Sequence, residues 1–301
     1  MIIYLFGATT TTGQAFINLC QKKFSNFRLI PFSRSNKKYN FIDLEFPGSF
    51  SFDHQEEFLI VSFSPIWKLS KFLEVIFINK RHELANLCGV IACSSSSIYT
   101  KKYSYNTFDK KLYSKLKLSE IILSKLSESL KKTIYILEPT MIYGNVGKFK
   151  DKNINLILTY LNFLPFLLIP SETGFRQPIH AYQLAAVIIK KLEELSNRLH
   201  PIEGNLKKIT LGGDKEFTFY DMLSILKNRS LKNKGIGSCF IIKVPNRFFY
   251  LLFSPLIMIS PKLYESLLRL NGNLSGFTKS SDILDMKDMN FPAKESDFLN
   301  N

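Results

Sequence analysis

Several features that mark specialised classes of protein are scarce in this chain. Its 301 residues include 4 cysteines and 1 tryptophan. Cys20, Cys88, Cys93 and Cys239 form no CxxC pair and have no histidine at metal-ligand spacing, so neither a disulfide framework nor a zinc site is supported. We expect all four cysteines to be reduced and mainly structural, and we assign no metal ligand.

Long uninterrupted apolar runs are also missing. The apolar stretch 248–259 is shorter than the ~20 residues that span a bilayer, and Ser254 and Pro255 interrupt it. Residues 1–7 contain neither a basic leader nor a signal cleavage site. We therefore predict no transmembrane segment and a cytoplasmic location. Two interpretations of 248–259 remain: a buried cap helix over a substrate cleft, or a surface in peripheral contact with a membrane.

Acidic residues and arginine are scarce relative to lysine. The chain has 40 Lys and Arg against 25 Asp and Glu, a net charge of +15, yet 8 of the 40 are Arg. Proteins that read nucleic-acid sequence rely on Arg, and a Lys excess beside many Phe, Ile, Asn and Ser residues is typical of AT-rich coding. We predict no nucleic-acid partner, while a basic surface would still attract anionic ligands or an anionic membrane.

With 46% hydrophobic residues the chain can bury a sizeable core. Short apolar stretches alternate with segments of helical periodicity, which predicts an α/β fold, a Rossmann-type doubly wound parallel sheet with a smaller C-terminal mixed α/β cap. The predicted strands are Ile2–Phe6, Phe27–Phe32, Phe58–Phe63, Gly89–Ser94, Thr133–Leu137 and Lys208–Leu211. The predicted helices are Gln14–Lys23, Asp109–Lys131, Asn153–Leu168, Ala181–Leu195 and Phe217–Leu226. We place a nucleotide-binding domain at 1–144, with sheet-completing returns around 176–213, and a mainly substrate-binding cap at 145–301.

A glycine turn separates the first predicted strand from the first predicted helix. A dinucleotide pyrophosphate bound at a helix N-terminus needs small residues on such a turn. We assign Gly7, Thr10, Thr11, Thr12 and Gly13 to cofactor binding, with Thr10 in the place of the usual middle glycine.

The second predicted strand ends in a basic residue. An acidic residue there would bind the ribose 2′-hydroxyl of NAD, whereas Arg34 would accommodate the 2′-phosphate of NADP. We therefore assign Ser33 and Arg34 to the cofactor and favour NADP over NAD. The alternative is that Arg34 is an ordinary exposed loop charge.

Tyr113 and Lys117 stand four residues apart on the long predicted helix, so their side chains share one face. There the ammonium would lower the pKa of the phenol, which would exchange a proton at a carbinol carbon. The serine run 94–97 follows the fourth strand, at the sheet edge where open α/β folds bind ligands. We expect one serine to hydrogen-bond the reacting oxygen.

In this order the motifs resemble those of the extended short-chain dehydrogenases/reductases, the NAD(P)-dependent epimerase/dehydratase family that acts on nucleotide-diphosphate sugars. The matching segments are 7–13 for GATGxxG, 43–44 after the third strand, 94–99 for SSxxVY, 113–117 for YxxxK, 139–144 for RPTxIYG, 176–180 for RxxxH, and 211–213. Together they cover about residues 1–228.

The resemblance implies three catalytic roles. Ser95 would orient the sugar hydroxyl, Tyr113 would be the general acid/base, and Lys117 would hold the nicotinamide ribose.

The resemblance also implies binding contacts. Asp43, Leu44 and Pro139 would contact the cofactor, and Arg176 would bind the diphosphate of the sugar nucleotide. A homodimer through the long helices is implied as well.

Two functions from different classes remain. The first is an NAD(P)-dependent epimerase or 4-ketoreductase of a nucleotide-diphosphate sugar that works by hydride transfer. The second is a catalytically degenerate dinucleotide-binding accessory or membrane-surface scaffold protein. The second is favoured by departures from the family pattern in the substrate loop 62–67, by the net charge of +15 and by the apolar stretch 248–259.

Overall fold

The structure, a computed structural model, describes residues 1–23, 27–46, 48, 50–53, 55–196, 204–234 and 239–299. The strands are β1 (Ile2–Phe6), β2 (Arg28–Ser33), β3 (Asn40–Phe41), β4 (Phe58–Ser62), β5 (Leu87–Cys93), β6 (Thr133–Pro139), β7 (Ile142–Tyr143), β8 (Phe166–Pro170), β9 (Phe175–Arg176), β10 (Ile179–His180), β11 (Leu206–Gly212), β12 (Phe217–Thr218), β13 (Phe240–Val244) and β14 (Thr278–Lys279). The helices are α1 (Thr11–Lys23), α2 (Ile66–Asn79), α3 (Ser97–Lys101), α4 (Thr107–Leu130), α5 (Asn153–Phe163), α6 (Ala181–Ser196), α7 (Phe219–Lys234), α8 (Asn246–Phe253), α9 (Leu256–Ile259), α10 (Pro261–Leu268), α11 (Ser280–Leu284) and α12 (Ser296–Leu299), with a short 3₁₀ helix at Arg81–Leu84.

The main sheet is parallel throughout and has the strand order β14-β11-β6-β5-β4-β1-β2-β3. From β1 the chain builds outward to β2 and β3, and then crosses to β4 on the other side of β1. The strand order therefore reverses between β1 and β4, and a crevice opens there at the carboxyl ends of the strands. The predicted Rossmann-type α/β fold is confirmed.

Both faces of the sheet are buried, as the uninterrupted apolar sequence of β1 requires. Ile2, Tyr4 and Phe6 belong to one hydrophobic core. Ile3 and Leu5 belong to the other. Helices α2 and α4 cover the first face, and α1 and α6 cover the second, so the long α4 is held against the sheet beside the crevice.

The predicted helix Asn153–Leu168 is wrong in its second half, where the chain forms α5 followed by β8. Pro165 is the physical reason. Proline disfavours a helical conformation in the residue before it, and Leu164 is extended, with φ −88° and ψ 139°.

The apolar stretch 248–259 is not a buried cap helix. It forms α8 and α9, in which Phe249 is buried while Phe248 and Met258 are 66% and 92% exposed. None of the described helices is both long enough and apolar enough to cross a membrane.

Candidate functional site

A cavity of about 730 Å³ lies at the carboxyl ends of β1, β4 and β5. Its walls come from the glycine turn, the segment after β4, the serine run, α4 and the loop before α5. Among its lining residues are Thr9, Thr10, Thr11, Thr12, Phe63, Ser64, Pro65, Trp67, Cys93, Ser94, Ser95, Ser97, Leu112, Leu116, Lys150, Asp151 and Asn153. We call this space the main cavity.

A smaller cavity of about 200 Å³ adjoins the main cavity on the β2 side, and we call it the side cavity. The two share Thr9, Thr10, Phe63, Ser64 and Pro65. Four residues assigned to the cofactor, Ser33, Arg34, Asp43 and Leu44, all line the side cavity together with Gly7. The structure thus brings together residues from four separate segments of the sequence.

The glycine turn between the cavities has no room for side chains at either glycine. Gly7 has φ +86°, and a Cβ there would lie 2.9 Å from the Phe63 carbonyl carbon. A Cβ on Gly13 would lie 2.5 Å from the Gly7 oxygen. Close approach of a ligand to this main chain requires the same absence of side chains.

Thr10 replaces the missing middle glycine by capping α1. Its hydroxyl donates to the Gly7 carbonyl at 3.0 Å and accepts the Gly13 N–H at 2.9 Å. The first N–H groups of a helix have no partner within the helix, and this cap satisfies only that of Gly13. The N–H groups of Thr11 and Thr12 are left for an anion, which fits a dinucleotide pyrophosphate.

Arg34 and Asp43 face each other across the side cavity. The guanidinium Nη1 lies 4.0 Å from Asp43 Oδ2, and the Arg34 side chain is 61% exposed. Ser33 Oγ accepts the N–H groups of Ser35 and Asn36, both at 3.2 Å, and so fixes the loop that carries Arg34. The cation is therefore held in the side cavity with more than half of its side-chain surface exposed.

The serine run brings hydroxyl groups into the main cavity. Ser95 donates to Ser97 Oγ at 2.9 Å and accepts the Ser97 N–H at 3.2 Å. Ser94 Oγ is buried and has no hydrogen-bond partner among the described residues. The Pro139 carbonyl accepts the Ser96 N–H at 3.0 Å and so holds the serine run in place. Pro139, predicted as a cofactor contact, lines neither cavity.

Helix α4 presents Leu112 and Leu116 to the main cavity, and these are its only residues that line it. Tyr113 is half-buried against the core under α2 and α4. The Lys117 side chain is 53% exposed and its Nζ lies 3.2 Å from Glu120 Oε2. The structure therefore does not bring Tyr113 and Lys117 to the serines.

The rotation of α4 is fixed at its first turn. Asp109 is fully buried and bonds Lys101 at 2.6 Å and Arg269 at 2.8 Å. Asn106 caps the helix through the Asp109 N–H at 2.8 Å. Burial by itself would raise the pKa of Asp109, but the hydrogen bonds from Lys101, Asn106 and Arg269 outweigh it and hold the pKa below its usual range.

Solved structures share this architecture along 81% to 100% of this chain. UDP-glucuronic acid 4-epimerase from Bacillus cereus in complex with NAD matches with a TM-score of 0.62 at 15% identity, covering 100% of this chain and 99% of that one. UDP-galactose 4-epimerase matches with a TM-score of 0.58 at 9% identity, covering 95% and 97%. GDP-mannoheptose C4 reductase from Campylobacter jejuni with NADP bound matches with a TM-score of 0.57 at 14% identity, covering 81% and 88%. No protein-family model and no curated protein matches the sequence.

This chain therefore has the same Rossmann-type α/β fold as these epimerases and this reductase. All four cysteines are free. Burial raises the pKa of the Cys93 thiol, which lines the main cavity, to about 12, so it is neutral at physiological pH. In the part of the chain that the structure describes, no three His, Cys, Asp or Glu side chains are grouped as metal ligands.

Arg176 does not fit the diphosphate contact expected for it in this fold. Its Nη1 donates to the carbonyls of Phe175 and Gly272 at 2.7 and 2.6 Å, and its Nη2 to those of Arg269 and Leu270 at 2.8 and 3.3 Å. Its four terminal N–H groups are thus used on main chain, and burial lowers the pKa of the guanidinium to about 10. Arg176 joins β9 to the end of α10.

The residues that sequence reasoning missed are Leu112 and Leu116. The signal was present, because Leu112, Leu116, Leu123 and Leu126 form the apolar stripe that predicts which side of α4 faces inward. Tyr113 and Lys117 each follow a stripe residue by one position, about 100° around a helix.

Proposed function

We propose that this protein binds NADP(H) or NAD(H) in the main and side cavities and uses it to epimerise or reduce a nucleotide-diphosphate sugar. The observation that carries the proposal is the position of the cavities. They meet at the N-terminus of α1, where the strand order reverses and open α/β sheets bind nucleotides. The likeness to NAD- and NADP-bound enzymes of nucleotide sugars supports the same proposal.

The chain's own groups account for binding of the dinucleotide. The N–H groups of Thr11 and Thr12 would hold the pyrophosphate, and Gly7 and Gly13 keep the turn clear of side chains. Arg34 would pair with a ribose 2′-phosphate, so we propose that NADP(H) binds more tightly than NAD(H). The bound dinucleotide would give or take a hydride.

On the reacting side, Ser95 would hydrogen-bond the sugar oxygen whose carbon exchanges the hydride. The unpartnered hydroxyl of Ser94 offers a second contact in the same cavity. Tyr113 as acid/base, with Lys117 beside it, remains the prediction drawn from the family pattern. Neither side chain is among the residues that line the main cavity.

A second candidate function is binding without turnover, and the leucines of α4 favour it. Leu112 and Leu116 can neither donate nor accept a proton. The titratable side chains that line the main cavity are Cys93, whose thiol is neutral, and the three residues Lys150, Asp151 and Lys152 of the loop before α5. In this case the protein would sense or present the dinucleotide as an accessory subunit.

One experiment distinguishes the two functions. Purified protein is incubated with UDP-, GDP- and dTDP-sugars, including 4-keto forms, with NADP(H) or NAD(H), and the products are separated by chromatography with mass detection. A converted sugar that is lost in Tyr113→Phe would establish the enzyme and assign the proton to Tyr113. No conversion, with NADPH still bound, would establish binding without turnover. Failure to bind any dinucleotide would reject both functions.

A paired variant sharpens this test. Leu112→Tyr with Leu116→Lys places the phenol and the ammonium on the residues that line the main cavity. If the wild type is inactive because of these leucines, the double variant should gain conversion of a 4-keto sugar. Tyr113→Phe in the same background should leave that gain unchanged.

The cytoplasmic location and the homodimer remain predictions. For a dimer through the long helices, α4 offers Leu118 and Ile121, which are 57% and 44% exposed. Light scattering of the wild type and of Leu118→Asp would test it, since a dimer through α4 should become a monomer.

A further inference from the structure

The strongest feature outside the cavities is an exposed apolar surface on three consecutive short helices. Seven large side chains of α8, α9 and α10 are 49% to 92% exposed: Phe248, Leu251, Leu252, Ile257, Met258, Ile259 and Leu263. Phe249 is the buried residue of α8, and α9 and α10 have no fully buried residue. We call these seven residues the apolar face. Soluble monomers rarely expose this many large apolar side chains together, which indicates that a partner covers the face.

Tertiary contacts place exposed aromatic residues beside the apolar face. The Glu265 carboxylate on α10 accepts the N–H groups of Tyr105 at 2.9 Å and Asn106 at 2.6 Å. Lys262 Nζ lies 3.8 Å from the centre of the Phe108 ring. Tyr103 and Tyr105 are 74% and 88% exposed. Tyrosine is enriched where one end of a side chain meets lipid and the other meets water.

The charge around this surface is almost entirely positive. Ranges 99–111 and 243–269 contain eight basic residues and two acidic ones. Both acidic residues bond groups of the protein itself, Asp109 inside the fold and Glu265 at the start of α4. The exposed basic residues are Lys102, Lys110, Lys111, Lys243, Arg247 and Lys262. The partner that fits is therefore apolar at its centre and anionic at its surface.

From this juxtaposition we infer that the apolar face, with Tyr103, Tyr105 and Phe108, docks on an anionic lipid bilayer. Apolar side chains on short helices enter the boundary between headgroups and acyl chains, while lysines contact phosphate and serine headgroups. A protein partner would need to match both a broad apolar surface and a basic fringe, whereas an anionic bilayer has both properties throughout. Docking on the bilayer does not depend on whether the protein converts a substrate in the main cavity.

The test is co-sedimentation of the full chain with vesicles of phosphatidylcholine alone or mixed with phosphatidylserine. We expect binding to the mixed vesicles that weakens as NaCl increases, and little binding to phosphatidylcholine. Met258→Asp with Ile259→Asp should weaken binding at least about tenfold. Lys110→Glu with Lys111→Glu should weaken binding to the mixed vesicles by about tenfold or more.

Phe46→Asp is the matched control. Phe46 is an 80% exposed aromatic residue in the segment between β3 and β4 and is not part of the apolar face, so its replacement should leave vesicle binding unchanged. All these positions are exposed, so thermal unfolding should be similar to that of the wild type and report that each variant is folded.

Three results would overturn the inference. In the first, the wild type stays in the supernatant with anionic vesicles. In the second, the Met258 and Ile259 variant binds as tightly as the wild type. In the third, light scattering shows that this variant converts an oligomer into a monomer while the wild type binds no vesicles. The apolar face would then be an interface between copies of this chain.

Discussion

The two sides of the main cavity differ in how they are built. On the side next to the glycine turn, the wall is formed by that turn and by the loops after β2 and β4, and the predicted residues Ser33, Arg34, Asp43 and Leu44 lie together. On the opposite side, α4 forms the wall with side chains, and the predicted pair, Tyr113 and Lys117, lies one residue away from the lining positions. The loops that directly follow strands reach the cavity because the strands end there, so local sequence predicts their residues, whereas a wall made by one face of a helix depends on the helix rotation.

The largest effect is expected from filling the glycine turn. A Cβ on Gly13 would lie 2.5 Å from the Gly7 oxygen, so Gly13→Ala must move the turn. We expect NADPH affinity to fall about 100-fold, or about 3 kcal/mol, measured by fluorescence titration. Gly272→Ala is the control, because a Cβ there would lie 3.5 Å from its nearest neighbour, the Arg269 carbonyl oxygen. Wild-type affinity in Gly13→Ala would mean that the dinucleotide does not bind at this turn.

Asp109→Asn should release the anchor of α4. The change leaves Lys101 and Arg269 without their buried anionic partner, and we expect a loss of about 3 kcal/mol in the free energy of unfolding. Denaturant titration measures it. Asp285→Asn removes an ion pair whose carboxylate is 81% exposed, and should cost less than about 1 kcal/mol. Equal losses in the two variants would show that the buried pair does not hold α4.

Arg34→Ala should separate the two cofactors. Loss of the cation in the side cavity should weaken NADPH binding about tenfold and leave NADH binding unchanged. Calorimetry with both dinucleotides measures this, with Arg28→Ala, which removes an exposed pair with Asp53, as the control. A parallel loss for NADH would mean that Arg34 does not contact a 2′-phosphate.

The smallest effect is expected at Lys117. The Lys117 side chain is more than half exposed, and its amine pairs with Glu120. Lys117→Ala should therefore change NADPH affinity less than about twofold and the free energy of unfolding by less than about 1 kcal/mol. The role implied by the family pattern, holding the nicotinamide ribose, requires a much larger loss of NADPH affinity. Titration of this one variant therefore decides which face of α4 meets the cofactor.

Some strands, helices and turns could be predicted from the sequence because their formation depends on local residues. Apolar runs between turns predicted the ends of β1, β4, β5 and β6 to within two residues. Strands that are buried on both faces need continuous apolar sequence, so these runs are visible in the sequence. The helix predicted across Leu164 failed because Pro165 outweighs apolar periodicity. In the site, the turn from Gly7 to Gly13 was predictable since its need for small residues is local.

Other properties required contacts between distant residues. Asp109 and Arg269, 160 positions apart, set the rotation of α4. Arg176, predicted as a ligand for a diphosphate, bonds carbonyls more than ninety positions away.

Four features follow from the sequence read locally: the apolar runs that form the strands, the glycine turn, the serine run and the basic residue at the end of β2. Each of them depends on residues that are neighbours in the chain. Two others follow from the packed fold: leucines, and not Tyr113 and Lys117, line the main cavity, and the large apolar side chains of the stretch 248–259 are mostly exposed. Both outcomes depend on which distant surfaces pack together, because packing selects one face of a helix for burial and leaves the other to solvent or to a partner.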